Sequence, residues 1–209
     1  MKGVITGFDA FSRHPFNPTG EIVKDLQSVS FNESLENFNF SVVQTSYKSV
    51  DKWIDENRTT LLESDLIILL GLSELAQNLK LEQQAQNIAD CAVPDNDGQV
   101  RQQSAIANSG PVSYQTSIDI MQVAQHLKIA NEPCTISNDA GNFVCNYLYY
   151  RVLNLLCEEK SLSKAIFAHV PWVYPVLTQE HFNLSPRDRH LAGVKKLILA
   201  CQASIVDLL

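Results

Sequence analysis

One cysteine of this chain stands where a thiol gains reactivity. The run Ser137-Asn138-Asp139-Ala140-Gly141-Asn142-Phe143-Val144-Cys145-Asn146 follows a strand predicted over 134–137 and enters a helix predicted over 142–157. Cys145 therefore falls in an opening helical turn, where the first backbone N–H groups lack intrahelical partners and carry partial positive charge. A thiolate is stabilised there, so a lowered thiol pKa is expected. Downstream, the apolar run 164–170 predicts a strand carrying His169 at its end, before Val170-Pro171. A thiol at a helix mouth and an imidazole at a strand end are the minimum parts of a cysteine nucleophile with its base. Each also has a plainer use: free cysteine is among the most buried residue types, and a strand-end histidine often serves a structural hydrogen bond. Spacing alone leaves both readings open, because proximity in space is not written in sequence.

The elements that must position these side chains form a regular alternation. Short apolar runs at 3–6, 40–45, 66–70, 135–137 and 164–170 read as buried strands. Between them lie helical segments: 19–26, with Thr19 as N-cap after Asn17-Pro18; 49–62, with Val50, Trp53 and Ile54; and 117–127, with Ile120, Val123, Ala124 and Leu127 on one side. The last, 188–208, repeats Leu191, Val194, Leu197, Ile198, Cys201 and Ile205 and is amphipathic. This order predicts an α/β fold: one three-layer α/β/α domain over 1–209 with a mostly parallel, twisted sheet. Two stretches break the alternation. Residues 8–18 mix aromatic and turn residues, and residues 72–111 are polar around the turn Pro94-Asp95-Asn96-Asp97-Gly98. Ligands in such sheets settle at the carboxyl ends of strands, where the 8–18 loop, Cys145 and His169 can meet.

Composition excludes several classes of function. The chain has 209 residues, enough to bury a core without disulfides or metal, and a formal charge of -7 with no concentrated basic face. Nucleic-acid binding is not expected. Five cysteines (Cys91, Cys134, Cys145, Cys157, Cys201) without a C-x-x-C pair are poor material for a disulfide framework or a zinc site and suit a reducing compartment. The chain goes straight into a strand at Gly3, leaving no room for a signal peptide, and runs such as 66–70 are too short to cross a bilayer. A cytoplasmic protein without membrane partners is expected.

Four motifs, in order, resemble those of the type I pyroglutamyl peptidases (pyrrolidone-carboxylate peptidases). They are Thr6-Gly7-Phe8-Asp9-Ala10-Phe11 with Asn17-Pro18; Glu82 with Ala85, Asn87 and Pro94-Asp95-Asn96; the Ser137–Asn146 run, long and specific; and His169-Val170-Pro171. The resemblance implies a cytosolic cysteine exopeptidase that removes an N-terminal pyroglutamyl residue from small blocked peptides. It also implies a homo-oligomer, often a tetramer, with no metal and no cofactor. It makes Cys145 the nucleophile, His169 the base and then acid, and Glu82 the carboxylate that orients the imidazole. Phe8, Phe11 and Phe143 match the family's pocket aromatics, and amides around Val144-Cys145 would meet the oxyanion. Without the family, Glu82 reads as a surface charge between Leu81 and Gln83, and Phe143 as a core residue.

The motifs' surroundings depart from the family at two places. Gly71-Leu72-Ser73-Glu74-Leu75-Ala76 replaces a Gly-Gln-Ala-Gly-Gly-Arg stretch, so Leu72 stands where a glutamine contacts the substrate ring. Cys91-Ala92-Val93-Pro94 replaces Ala-Arg-Ile-Pro, so Ala92 stands where the family has a cation. Smaller changes are Ala10 for proline, Ser12-Arg13 for two glycines, and Asp139. These leave two alternatives open: hydrolysis of a different small acyl-amide cap, or a degenerate paralogue acting as a binding module.

Overall fold

Strands that are apolar at every position need cover on both faces, and the main sheet provides it. The computed structural model describes residues 1–12, 14–28 and 35–207. The strands β1 (Gly3–Phe8), β2 (Phe38–Val43), β3 (Leu66–Ser73) and β10 (Lys164–Pro171) are parallel and ordered β2-β1-β3-β10. Beyond β10, β4 (Leu79–Glu82) pairs antiparallel, and β9 (Cys134–Ser137) closes the sheet parallel to β4. Two small antiparallel pairs sit apart: β5 (Gln84–Gln86) with β8 (Ser113–Gln115), and β6 (Ala89–Cys91) with β7 (Arg101–Ser104).

Alternation along the strands divides the core into two layers. Ile67, Leu69, Ala165 and Phe167 pack with α2 (Tyr47–Glu56), α3 (Arg58–Glu63) and α5 (Val144–Glu158). Leu66, Ile68, Leu70, Ile166 and Ala168 pack with α1 (Pro18–Ser28), α4 (Ile120–Ile129) and α6 (Pro186–Val206). The result is an α/β/α sandwich, as the alternation in the sequence predicts. Truncating such a fully buried leucine to alanine costs about 2–5 kcal/mol. Among the described residues no helix is long and apolar enough to cross a membrane.

Several boundaries differ from expectation for local reasons. The helix expected over 49–62 breaks at Asn57, whose side chain donates to the Trp53 carbonyl and closes α2 before α3 begins. Asn17, not Thr19, caps α1: its Oδ1 accepts the Thr19 N–H at 3.1 Å. The helix expected from 117 starts at Ile120 under Asp119, because Ser117 is held by β10 through Ala165. β2 lies two residues earlier than expected. α6 starts at Pro186 under Ser185, and Leu208, the end expected for it, lies outside the described residues. The largest correction is the polar stretch 72–111. It is not one irregular loop: it supplies the end of β3, all of β4 and three strands of the small sheets.

Candidate active site

The strand register assembles three of the predicted residues. Ala165 and Phe167 face α5, so by the period of two His169 faces it as well. Pairing places Gly71 beside His169 on one side and Lys80 on the other, with Glu82 opposite Phe167. On β4, Leu79 and Leu81 enter the opposite layer, which turns Lys80 and Glu82 toward α5. His169 Nδ1 and Glu82 Oε1 are 2.7 Å apart, the histidine 6% and the glutamate 0% exposed. Glu82 is thus no surface charge; β4 buries it.

Gly71 explains how the thiol reaches this face. A Cβ at residue 71 would lie 3.0 Å from Cys145 Sγ and 2.6 Å from Phe167 Cζ. The missing side chain leaves room for the sulfur over the strand next to His169. The turn before α5 is shaped by Gly141, whose φ of +78° favours glycine, and by Asp139, whose side chain accepts the Gly141 N–H at 2.9 Å. Phe143 is the N-cap and makes no side-chain cap hydrogen bond, so the first-turn amides of α5 are not used by a capping side chain.

Burial works against the low thiol pKa expected for Cys145. Cys145 is half-buried overall, but burial of the sulfur pushes its thiol up to about 12, and the negative Glu82 adds to the rise. A hydrogen bond from its own backbone N–H opposes both. Desolvation works against the helix terminus and favours the protonated thiol.

The thiol opens into a small cavity of about 160 Å³. Phe8, Phe11 and Phe143 wall it, the last two with ring centroids 4.9 Å apart, and Leu72 adds to the apolar surface. Tyr47 meets the Phe143 edge at 5.8 Å. Phe143 is therefore a pocket residue, not only a core one. Val144 does not line the cavity; its side chain is fully buried in the core, which leaves only its backbone amide for the site.

Other motif residues build the walls. Asp9 Oδ1 accepts the Thr45 N–H at 2.7 Å and the Asn96 side-chain amide at 3.2 Å, while Asn17 Nδ2 donates to the Asp9 carbonyl. Asn146 is fully buried and donates to the Gln86 and Ile88 carbonyls, pinning the small sheets to α5. Ala92 is exposed, and the nearby cation is Arg101 of β7, whose guanidinium lies 5.3 Å from the Tyr47 ring centroid.

Sequence reasoning missed three side chains of the site. Lys80 Nζ is 3.2 Å from Glu82 Oε1 and donates to the Asp139 carbonyl at 3.0 Å, joining the carboxylate to the turn before Cys145. The alternation Leu79-Lys80-Leu81-Glu82 was its signal, a four-residue strand with one polar face. His14 and Glu74 pair across the cavity rim, from the two segments that depart most from the family pattern. Among the described residues no group of three or more His, Cys, Asp or Glu is placed to hold a metal ion. The arrangement places a thiol, an imidazole paired with a buried carboxylate, and uncapped helix amides on one face, a set of groups that can carry out acyl transfer.

Comparison with known proteins agrees over nearly the whole chain. The sequence model of the pyroglutamyl peptidase family matches residues 1–205. Pyrrolidone-carboxylate peptidase 1 of Caldanaerobacter subterraneus subsp. tengcongensis is 33% identical over 173 residues, 83% of each chain. The pyrrolidone-carboxylate peptidase of Finegoldia magna is 31% identical over 202 residues, 96% of this chain and 92% of its own. Among solved structures, pyroglutamyl peptidase I from Bacillus amyloliquefaciens matches with a TM-score of 0.83 at 26% identity, covering 98% of this chain and 96% of that one.

Proposed function

The chain belongs to the pyroglutamyl peptidase family, and we propose that it is a cysteine exopeptidase that cuts the amide after an N-terminal pyroglutamyl residue through a thioester on Cys145. The observation that carries the residue roles is the 2.7 Å contact of His169 with buried Glu82, on the strand face where Gly71 makes room for the Cys145 sulfur. Cys145 Sγ attacks the scissile carbonyl carbon while its proton passes to His169 Nε2, the ring nitrogen turned away from Glu82. Because burial favours the neutral thiol, this transfer accompanies attack instead of preceding it. First-turn amides of α5 receive the oxyanion. The intermediate collapses as His169 hands its proton to the leaving nitrogen and the C–N bond breaks. Water, deprotonated by His169, then adds to the thioester; the C–S bond breaks and the proton returns to sulfur. Glu82 keeps the imidazole in one tautomer and stabilises its cationic form.

The small aromatic cavity suits a flat, uncharged ring at the end of a short blocked peptide. One domain over 1–209, a cytoplasmic location and a homo-oligomer, a tetramer by resemblance, belong to the same proposal. Five unpaired cysteines support the location. Exposed Val173, Val176 and Phe182 on the segment before α6 support self-association. The direct test is release of fluorophore from a pyroglutamyl arylamide. Wild type should turn over and be inhibited by iodoacetamide, while Cys145→Ser should lose about a thousandfold or more in kcat/KM, roughly 4 kcal/mol. Thiol-sensitive turnover persisting in Cys145→Ser would refute the nucleophile.

A further inference from the structure

A larger groove begins where the Cys145 cavity ends. Phe16 walls both, with the cavity of about 160 Å³ on one side and a groove of about 630 Å³ on the other. Trp172 continues the groove wall. Its ring stacks on Phe16 at a centroid distance of 4.9 Å and packs on His14, a second cavity residue, at 4.3 Å. Ile22 of α1 and Pro186 of α6 line the far side. His190 holds the start of α6 to the end of β10: its Nε2 lies 2.8 Å from the Pro171 carbonyl oxygen and its Nδ1 2.7 Å from that of Pro186. The charges at the groove are matched within the protein, Arg187 donating to Asp25 at 2.8 Å and Lys24 to Glu21 at 2.8 Å. The surface between them is mainly apolar.

The strand end sets which part of a substrate reaches the groove. In the proposed reaction His169 hands a proton to the leaving nitrogen, so the peptide beyond the scissile bond starts beside the end of β10. From His169 the chain runs through Val170 and Pro171 into Trp172, and the register sets Leu72, a cavity wall, opposite Val170. The groove is thus continuous with the cavity on the leaving-group side. We infer that Phe16 and Trp172 form a subsite for the residue that follows the acyl cap, and that this subsite takes a large apolar or aromatic side chain. The inference rests on the pyroglutamyl reading of the cavity and adds a preference on the other side of the scissile bond. An aromatic side chain there buries apolar surface and meets a stacked pair of rings, whereas a charged one loses water against them.

The test compares pyroglutamyl-phenylalanine amide with pyroglutamyl-alanine amide, both below KM, with the released amino-acid amide quantified by chromatography. Wild type should favour phenylalanine by about tenfold in kcat/KM, the gain expected from partly burying the larger side chain. Trp172→Ala and Phe16→Ala should each bring that ratio within about threefold of one, and Trp172→Phe, which keeps an aromatic partner, should retain most of it. A ratio taken within one variant cancels the amount of active enzyme, so partial misfolding does not move it. A ratio unchanged in Trp172→Ala and Phe16→Ala overturns the inference; if gel filtration of these variants also shows a changed oligomeric state, the groove is a contact between copies of the chain. A wild-type ratio within about twofold of one, with the pyroglutamyl arylamide still cleaved, overturns the inference and leaves the enzyme's function intact. Wild type that cleaves neither the two amides nor the arylamide overturns the pyroglutamyl reading itself, and this inference with it.

Discussion

Two buried glutamates, one on each side of the sheet, have nearly the same neighbours and different surroundings. Glu82 has His169 at 2.7 Å and Lys80 at 3.2 Å; Glu132, also fully buried, has His181 at 3.4 Å and Lys196 at 3.6 Å. The second group is tied to the segment before α6. Tyr174 donates to Glu132 at 2.5 Å, its hydroxyl pKa raised by burial and by that carboxylate, and His181 Nδ1 accepts the Leu177 N–H. Both ring nitrogens of His181 face protein, and the group ties the segment before α6 to the end of α4. The first group is open: Glu82 holds only one ring nitrogen of His169, on the face that Cys145 reaches over Gly71. Cavity size does not mark the site either, since the cavity beside Glu132 is about 750 Å³ against about 160 Å³ at Cys145. Cys134, which lines the larger one, stands on a strand edge and not at a helix mouth, with its thiol raised by burial and by Glu132. What separates the two groups is that the imidazole of His169 shares its strand face with a thiol and a small cavity, which the proposed chemistry requires.

Exchanging one oxygen in each glutamate tests that contrast most severely. Glu82→Gln should lower kcat/KM about a hundredfold to a thousandfold, because the amide neither fixes the tautomer nor stabilises the imidazolium. Glu132→Gln should leave kcat/KM within about twofold and instead reduce unfolding free energy by roughly 1–3 kcal/mol in a denaturant titration. Equal kinetic losses in the two variants would erase the distinction.

Next in size is a pH effect. The raised thiol pKa means that the thiolate fraction, and with it the rate of alkylation, grows about tenfold per pH unit. Peptide-resolved mass spectrometry should show iodoacetamide labelling of Cys145 rising from about pH 7 to 10 with no plateau near the ordinary thiol value of about 8.5. A plateau below pH 8 would reveal a thiolate–imidazolium pair at rest.

The smallest expected effect is at Lys80, which touches the carboxylate but not the reacting atoms. Lys80→Met should cost about three- to tenfold in kcat with little change in KM, since a neighbouring cation orients and partly neutralises Glu82. Lys80→Arg should restore most of it. A rise in KM alone would instead make Lys80 a substrate contact.

Cys145 was legible because its position is local: strand, glycine turn and helix start are contiguous, and their residue types announce them. His169 was legible for a similar reason, at the end of a continuous apolar run. Glu82 without the family motif was not, because four residues with one polar face look like surface. Its burial is decided by insertion of β4 between β10 and β9, two strands drawn from distant parts of the chain. Lys80 was hidden by the same ambiguity. Phe143 was ambiguous for want of a cavity, and Val144, expected to serve through its backbone amide, turns its side chain into the core because one step along a helix rotates it by about 100°.

What the chain by itself determined was the alternation of buried strands and helices, the place of the cysteine at a helix mouth, and the order of its motifs. These follow from periodicity and turn chemistry, which act over a few residues. Only the tertiary structure decided which carboxylate is buried against His169, which side chains ring the cavity, and whether the thiol rests charged or neutral. Those depend on cross-strand register and on how far solvent is excluded, and both are sums over residues far apart in sequence.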